Sequence, residues 1–143
     1  MPLKPLFTVA VLLCCLLTSG ASAQLRLTDD ERVDLASGFI GKSLLMDIVS
    51  RDCSVRFADP PYDGEGAVAK LHPYLRQDER QLFWQYLQSN DYADNVHHSE
   101  SAFRESLENA IAKGITRLKA CENFARSFLA EYEKTRADLE RLR

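Results

Sequence analysis

The chain has little with which to do chemistry. No Gly-x-Ser-x-Gly elbow, no Cys-x-x-Cys pair and no His-x-x-x-His or His-Glu-x-x-His spacing occurs in its 143 residues. Those absences remove the common signatures of a serine hydrolase, a dithiol oxidoreductase and a helical zinc site. A basic excess is missing too. Eighteen Lys and Arg face 21 Asp and Glu, for a formal charge of -3, and a general nucleic-acid binder would show the opposite balance. Beyond residue 17 no apolar run is long enough for a membrane helix. Six glycines, five prolines and four cysteines exclude collagen-like repeats and a disulfide-dense mini-protein. The 45% apolar and 27% charged shares suit one ordinary globular domain.

What is present begins with an address. Lys4 gives a short basic start, Leu6 to Leu17 is nearly all apolar, and Ala21-Ser22-Ala23 has the form of a cleavage site. These are the three parts of a secretory signal peptide, residues 1–23, and the run is too short to span a bilayer. Cys14 follows Leu12-Leu13 rather than a small residue, so it does not form a lipobox. Cleavage would leave residues 24–143 as a single domain. The prefix carries one basic residue, Lys4, and no acidic one, so the mature charge falls to -4. Cys14 and Cys15 leave with it. The remaining pair, Cys53 and Cys121, is expected to form one disulfide in a periplasmic or otherwise secreted chain.

The mature chain reads as all-α: a bundle of four or five helices with one disulfide and a long amphipathic C-terminal helix. Period-2 alternation is absent. Thr28 with Glu31 makes a capping box, and a first helix is expected from there to about Arg51. Its apolar residues fall on two adjoining stripes, which places it centrally. Ser37, Gly38 and Gly41 lie inside it, and close approach of another backbone would offset their cost. Residues 52–65 form a loop punctuated by Pro60-Pro61 and Asp63-Gly64. A short helix from Gly66 to Leu71, another from about Tyr74 to Ser89, and a polar loop over residues 90–98 should follow. From Ser99 onward Phe103, Leu107, Ala110, Gly114, Leu118, Cys121, Ala125, Phe128, Tyr132, Thr135, Leu139 and Leu142 recur every three or four residues. Glu100 with Arg104, and Glu122 with Arg126, are spaced as helical ion pairs. One unbroken helix would run about 68 Å, against a globule about 35 Å across. A break near Gly114 is therefore expected, with a frayed charged tail over residues 134–143.

Several motifs resolve to ordinary structure. Ala36 to Ser43 fits a relaxed phosphate-binding loop, but it sits in mid-helix, where its backbone N–H groups are already used. His97 and His98, adjacent in sequence, chelate one ion poorly. Asp59, Asp63 and Glu65 lack the spacing of a calcium loop. No metal, cofactor or catalytic residue is assigned.

The loop over residues 52–65 is the expected working surface. Asp59, Tyr62, Asp63 and Glu65 are its candidate partner-binding residues, acidic and aromatic, held by two prolines and tied to the core by Cys53. The expected function is that of an exported, non-enzymatic protein-binding module: an inhibitor, an immunity protein or a periplasmic assembly factor. It would dock through this loop, the last helix, or both. The alternative is a carrier of a small apolar ligand, lined by Phe39, Phe83, Trp84, Phe103, Phe124 and Phe128. The expected partner is a protein, with no nucleic acid and no membrane insertion after cleavage. A homodimer through the last helix is a further option.

Overall fold

The computed structural model describes residues 29–142. The expected signal peptide, its cleavage site and Thr28 lie outside that range. Residues Val33–Arg143 form one compact unit, which holds the hydrophobic core.

Five helices form, with no strand among the described residues: α1 (Asp29–Cys53), α2 (Gly64–Leu71), α3 (Gln77–Leu87), α4 (Asn90–Ala112) and α5 (Arg117–Glu140). A single 3-10 turn, His72–Tyr74, links α2 to α3. The all-α bundle with a disulfide and a long C-terminal helix is the fold the patterning predicts.

The central place of α1 follows from its two stripes. Phe39, Ile40 and Met46 pack with Tyr62, Val68, Leu71, Phe83, Tyr132 and Leu139 in one cluster. Leu44, Ile48 and Val49 pack with Phe103, Leu107, Ala120 and Cys121 in a second. A helix that feeds two clusters must be apolar on most of its circumference. The disulfide joins Cys53, the last residue of α1, to Cys121 in the first turns of α5, with Cα atoms 5.7 Å apart.

The break expected in the C-terminal stretch is real. Chain direction changes over residues 113–116, where Gly114 has φ +90°, a left-handed conformation that costs glycine little. Its N–H donates to Ile111 O at 2.9 Å, and Ile115 N–H donates to Ala110 O at 3.1 Å. Thr116 then caps α5 by accepting from Lys119 N–H.

Four expectations are corrected. Residues 90–98 are not a loop but the first turns of α4, capped by Ser89, whose hydroxyl accepts from Tyr92 N–H. Tyr92 and Val96 carry the apolar spacing of Phe103 and Leu107 upstream, and the polar residues between them hid it. The tail does not fray from residue 134, because α5 continues to Glu140 and buries Leu139 in the first cluster. Neither expected i, i+4 ion pair forms among the described residues. Glu100 instead meets Arg51 at 2.8 Å, Arg104 meets Asp52 at 3.4 Å, and Glu122 meets Lys119 at 3.6 Å. Finally, no backbone approaches Gly38 or Gly41: a Cβ placed on either would meet nothing within 4 Å.

Candidate functional site

The loop between α1 and α2 is built inward. Ser43 Oγ, fully buried on α1, donates to Tyr62 O at 2.6 Å. Ser50 Oγ donates to Val55 O at 2.8 Å. The Pro60-Pro61 bond is cis. Tyr62 is only 6% exposed, its ring 5.4 Å from that of Tyr132 and 5.7 Å from that of Phe57. The Lys70 ammonium stands 4.4 Å over the Tyr62 ring, donates to Pro61 O at 2.8 Å and to Asp59 O, and reaches the Asp59 carboxylate at 3.7 Å.

The four loop residues expected to meet a partner therefore separate. Tyr62 is a core residue, because its ring fills the space between Phe57 and Tyr132 rather than tipping the loop. Asp59 is exposed but shares its charge with Lys70. Asp63 caps α2, its Oδ1 accepting from Gly66 N–H at 2.8 Å. Glu65 is exposed in the first turn of α2. Cys53 and Cys121 are joined as the disulfide.

A concavity lies elsewhere. A trough of about 740 Å³ runs between α1, α3 and the start of α4. Its floor is one face of α1: Val33, Ser37, Ile40, Gly41 and Leu44. Ser37 and Gly41 are four apart, and their small side chains leave the trough rather than filling it. Leu82, Phe83 and Tyr86 of α3 form one wall. Tyr92, Asn95 and Ser99 of α4 form the other. Asn95 Nδ2 donates to Tyr86 Oη at 2.8 Å, and the Tyr86 and Tyr92 rings lie 5.4 Å apart, so the walls meet at one end. Leu82 is 55% exposed, a large aliphatic side chain left at the rim.

A second cavity of about 380 Å³ shares Leu44 and Tyr92 with the trough. Its far side carries Asp47, Asp63 and Glu65, with Trp84 and Leu87 beneath. Burial, and then the Asp63 and Asp47 carboxylates, push the Tyr92 hydroxyl above its ordinary value. Both acids thus act on the ring that divides the two cavities. Asp47 is paired with Arg51 at 3.2 Å, and Arg51 is itself held by Glu100. The two cavities adjoin at Leu44 and Tyr92, the trough mostly apolar and its neighbour bordered by Asp47, Asp63 and Glu65.

The sequence signals for this face were present but pointed elsewhere. Ser37, Gly38 and Gly41 stood out as small residues inside a helix, a pattern that close packing and an open trough share. Of the aromatics proposed to line a ligand cavity, only Phe83 reaches the trough. Phe103, Phe124 and Phe128 stack on one another, with centroids 5.3 to 6.2 Å apart, and Phe39 packs on Tyr132. Among the described residues no group of three or more His, Cys, Asp or Glu side chains could hold a metal ion. Likewise, none of the described helices is long and apolar enough to cross a membrane. Comparison with protein-family models, curated proteins and solved structures finds no match.

Proposed function

We propose that the chain is an exported, non-enzymatic protein-binding module, of the inhibitor, immunity-protein or assembly-factor kind. The observation that carries the reading is that the apolar trough and the acidic corner adjoin, with Leu44 and Tyr92 lining both. An amphipathic segment laid in such a channel places an apolar ridge on Ile40, Gly41 and Leu82. A basic side chain at its end would then meet Asp47, Asp63 and Glu65. The small floor residues let a helical backbone come close. The rigid loop and the disulfide hold the acidic corner in place before binding, which lowers the ordering cost of association. A disulfide also fits an oxidising compartment, where an exported chain would work.

The carrier reading draws on the same trough, whose volume lies in the range of small-molecule sites. Openness favours the protein reading. Ser37, Gly41, Leu82, Gln85, Asp91 and Asn95 all line the trough and all face solvent, so an apolar ligand would remain half wet.

A photoreactive amino acid at position 82 tests this, with position 126 on the outside of α5 as the control. A protein adduct at 82, absent at 126 and lost in Glu65→Lys, is the expected result. Labelling of a small molecule alone, or equal labelling at both positions, would sink the reading.

A further inference from the structure

The turn between α4 and α5 breaks the rule that governs the rest of the surface. Five large apolar side chains are exposed among the described residues, and three stand at this one apex: Ile111 at 40%, Ile115 at 38% and Leu118 at 72%. None lines the trough or the acidic corner. The same stretch carries Lys113, Arg117 and Lys119, and no acidic residue lies between Glu108 and Glu122. A chain that is acidic overall therefore carries three exposed aliphatic side chains beside three basic ones at this turn.

The apex is also fixed. Gly114 makes the reversal, and Thr116 caps the outgoing helix. The Arg117 guanidinium donates to Asp52 O at 3.0 Å and lines a small hollow with Asp52, Arg104 and Glu108. Cys121, three residues after Leu118, is bonded to Cys53. Lys119 reaches Glu122 at 3.6 Å, and Lys113 has no ion pair among the described residues.

We propose that this apex is a peripheral docking site for an anionic lipid surface. Composition and charge together select that occupant. The exposed apolar side chains at the turn are all aliphatic, with no aromatic ring among them, whereas protein hot spots favour Trp, Tyr and Arg seated in pockets. Branched aliphatic side chains need no hydrogen-bond partner at the boundary between headgroups and acyl chains. Lysine and arginine beside them stay at the level of the phosphates. No described helix can cross the bilayer, so the contact is shallow and reversible. The site is separate from the trough, and neither proposal depends on the other.

The test is co-sedimentation of the protein, in the form its host produces, with phosphatidylcholine vesicles containing phosphatidylglycerol. Vesicles of phosphatidylcholine alone are the comparison. Binding to the mixed vesicles, weakened by salt and by removal of phosphatidylglycerol, is expected. Ile115→Ser with Leu118→Ser should lower the affinity about tenfold or more. Lys113→Glu and Lys119→Glu should each lower it about fivefold or more. All four positions are exposed, so circular dichroism of these variants should match the parent, and Gly41→Trp should bind vesicles as the parent does. No binding to the mixed vesicles, equal binding to both kinds, or affinity unmoved by the variants would overturn the proposal. So would an apex that captures a protein, in a manner these variants abolish, without binding vesicles.

Discussion

Ser43 Oγ donates to the carbonyl oxygen of Tyr62 across 2.6 Å, from a side chain that no solvent reaches. One hydroxyl thus ties the centre of the longest helix to the loop that follows it, and makes that loop part of the core. Ser43→Ala strands a buried carbonyl and should cost about 1–3 kcal/mol. Tyr62→Ala removes the ring wedged between Phe57 and Tyr132 and should cost about 3–5 kcal/mol. Urea unfolding of both variants checks this. Losses under about 0.5 kcal/mol, the range of ordinary surface substitutions, would mean that the loop is not anchored as described.

The glycines of α1 and those around α2 should respond with opposite signs. Gly38 and Gly41 are helical with open space where a Cβ would stand. Alanine at either position should stabilise the chain by up to about 1 kcal/mol. At Gly66 a Cβ would come within 2.6 Å of Pro61 O, so Gly66→Ala should destabilise. Thermal unfolding of the three variants decides. A loss at Gly41→Ala would show that something packs on the trough floor.

The disulfide closes a loop across 68 positions, which the chain-entropy model values at roughly 4 kcal/mol. Reduction, or Cys53→Ala with Cys121→Ala, should lower stability by that order while leaving the helical spectrum largely intact at low temperature. Denaturant titration with and without reductant measures it. An unchanged midpoint would show that the second cluster holds α1 to α5 unaided.

Two groups of side chains set the pH response, with opposite signs. The Arg51 hydrogen bond holds the Glu100 carboxyl below its ordinary value of 4.5. The stability it contributes is present above that value and fades as pH falls through the lowered one. Burial pushes the Tyr132 hydroxyl above its ordinary 10.0, with the Tyr62 neighbour adding to the effect. Its contribution is complete below 10.0 and is lost as pH rises beyond it, because the unfolded chain ionises first. Glu100→Gln should flatten the acid limb of a stability profile, and Tyr132→Phe part of the alkaline limb. The Tyr132 hydroxyl is buried without a hydrogen-bond partner among the described residues, so Tyr132→Phe should also hold or raise stability at neutral pH. A fall there would reveal a partner for the hydroxyl.

The elements were legible in the sequence where periodicity was strong, and the working face was not. The two stripes of α1, the break at Gly114 and the pairing of Cys53 with Cys121 all follow from apolar spacing and chain length. The start of α4 was hidden because Asn90 to His98 are polar, and only Tyr92 and Val96 carry the helical register there. Burial of Tyr62 depends on its tertiary contacts with Ser43 and Tyr132, which loop composition does not encode. The trough is a space between three helices. Ser37 and Gly41 announce small volume, but only the positions of α3 and α4 decide whether that volume is filled or left open.

The central claim is that the trough takes a segment of another protein. Native mass spectrometry of the chain drawn from its own compartment, beside the Gly41→Trp variant, tests it most directly. Space above Gly41 lets the variant fold while its indole fills the channel. A bound protein mass of fixed stoichiometry on the parent chain and a bare Gly41→Trp chain are expected. The same protein mass on both, or only a small-molecule adduct on the parent, would contradict the claim.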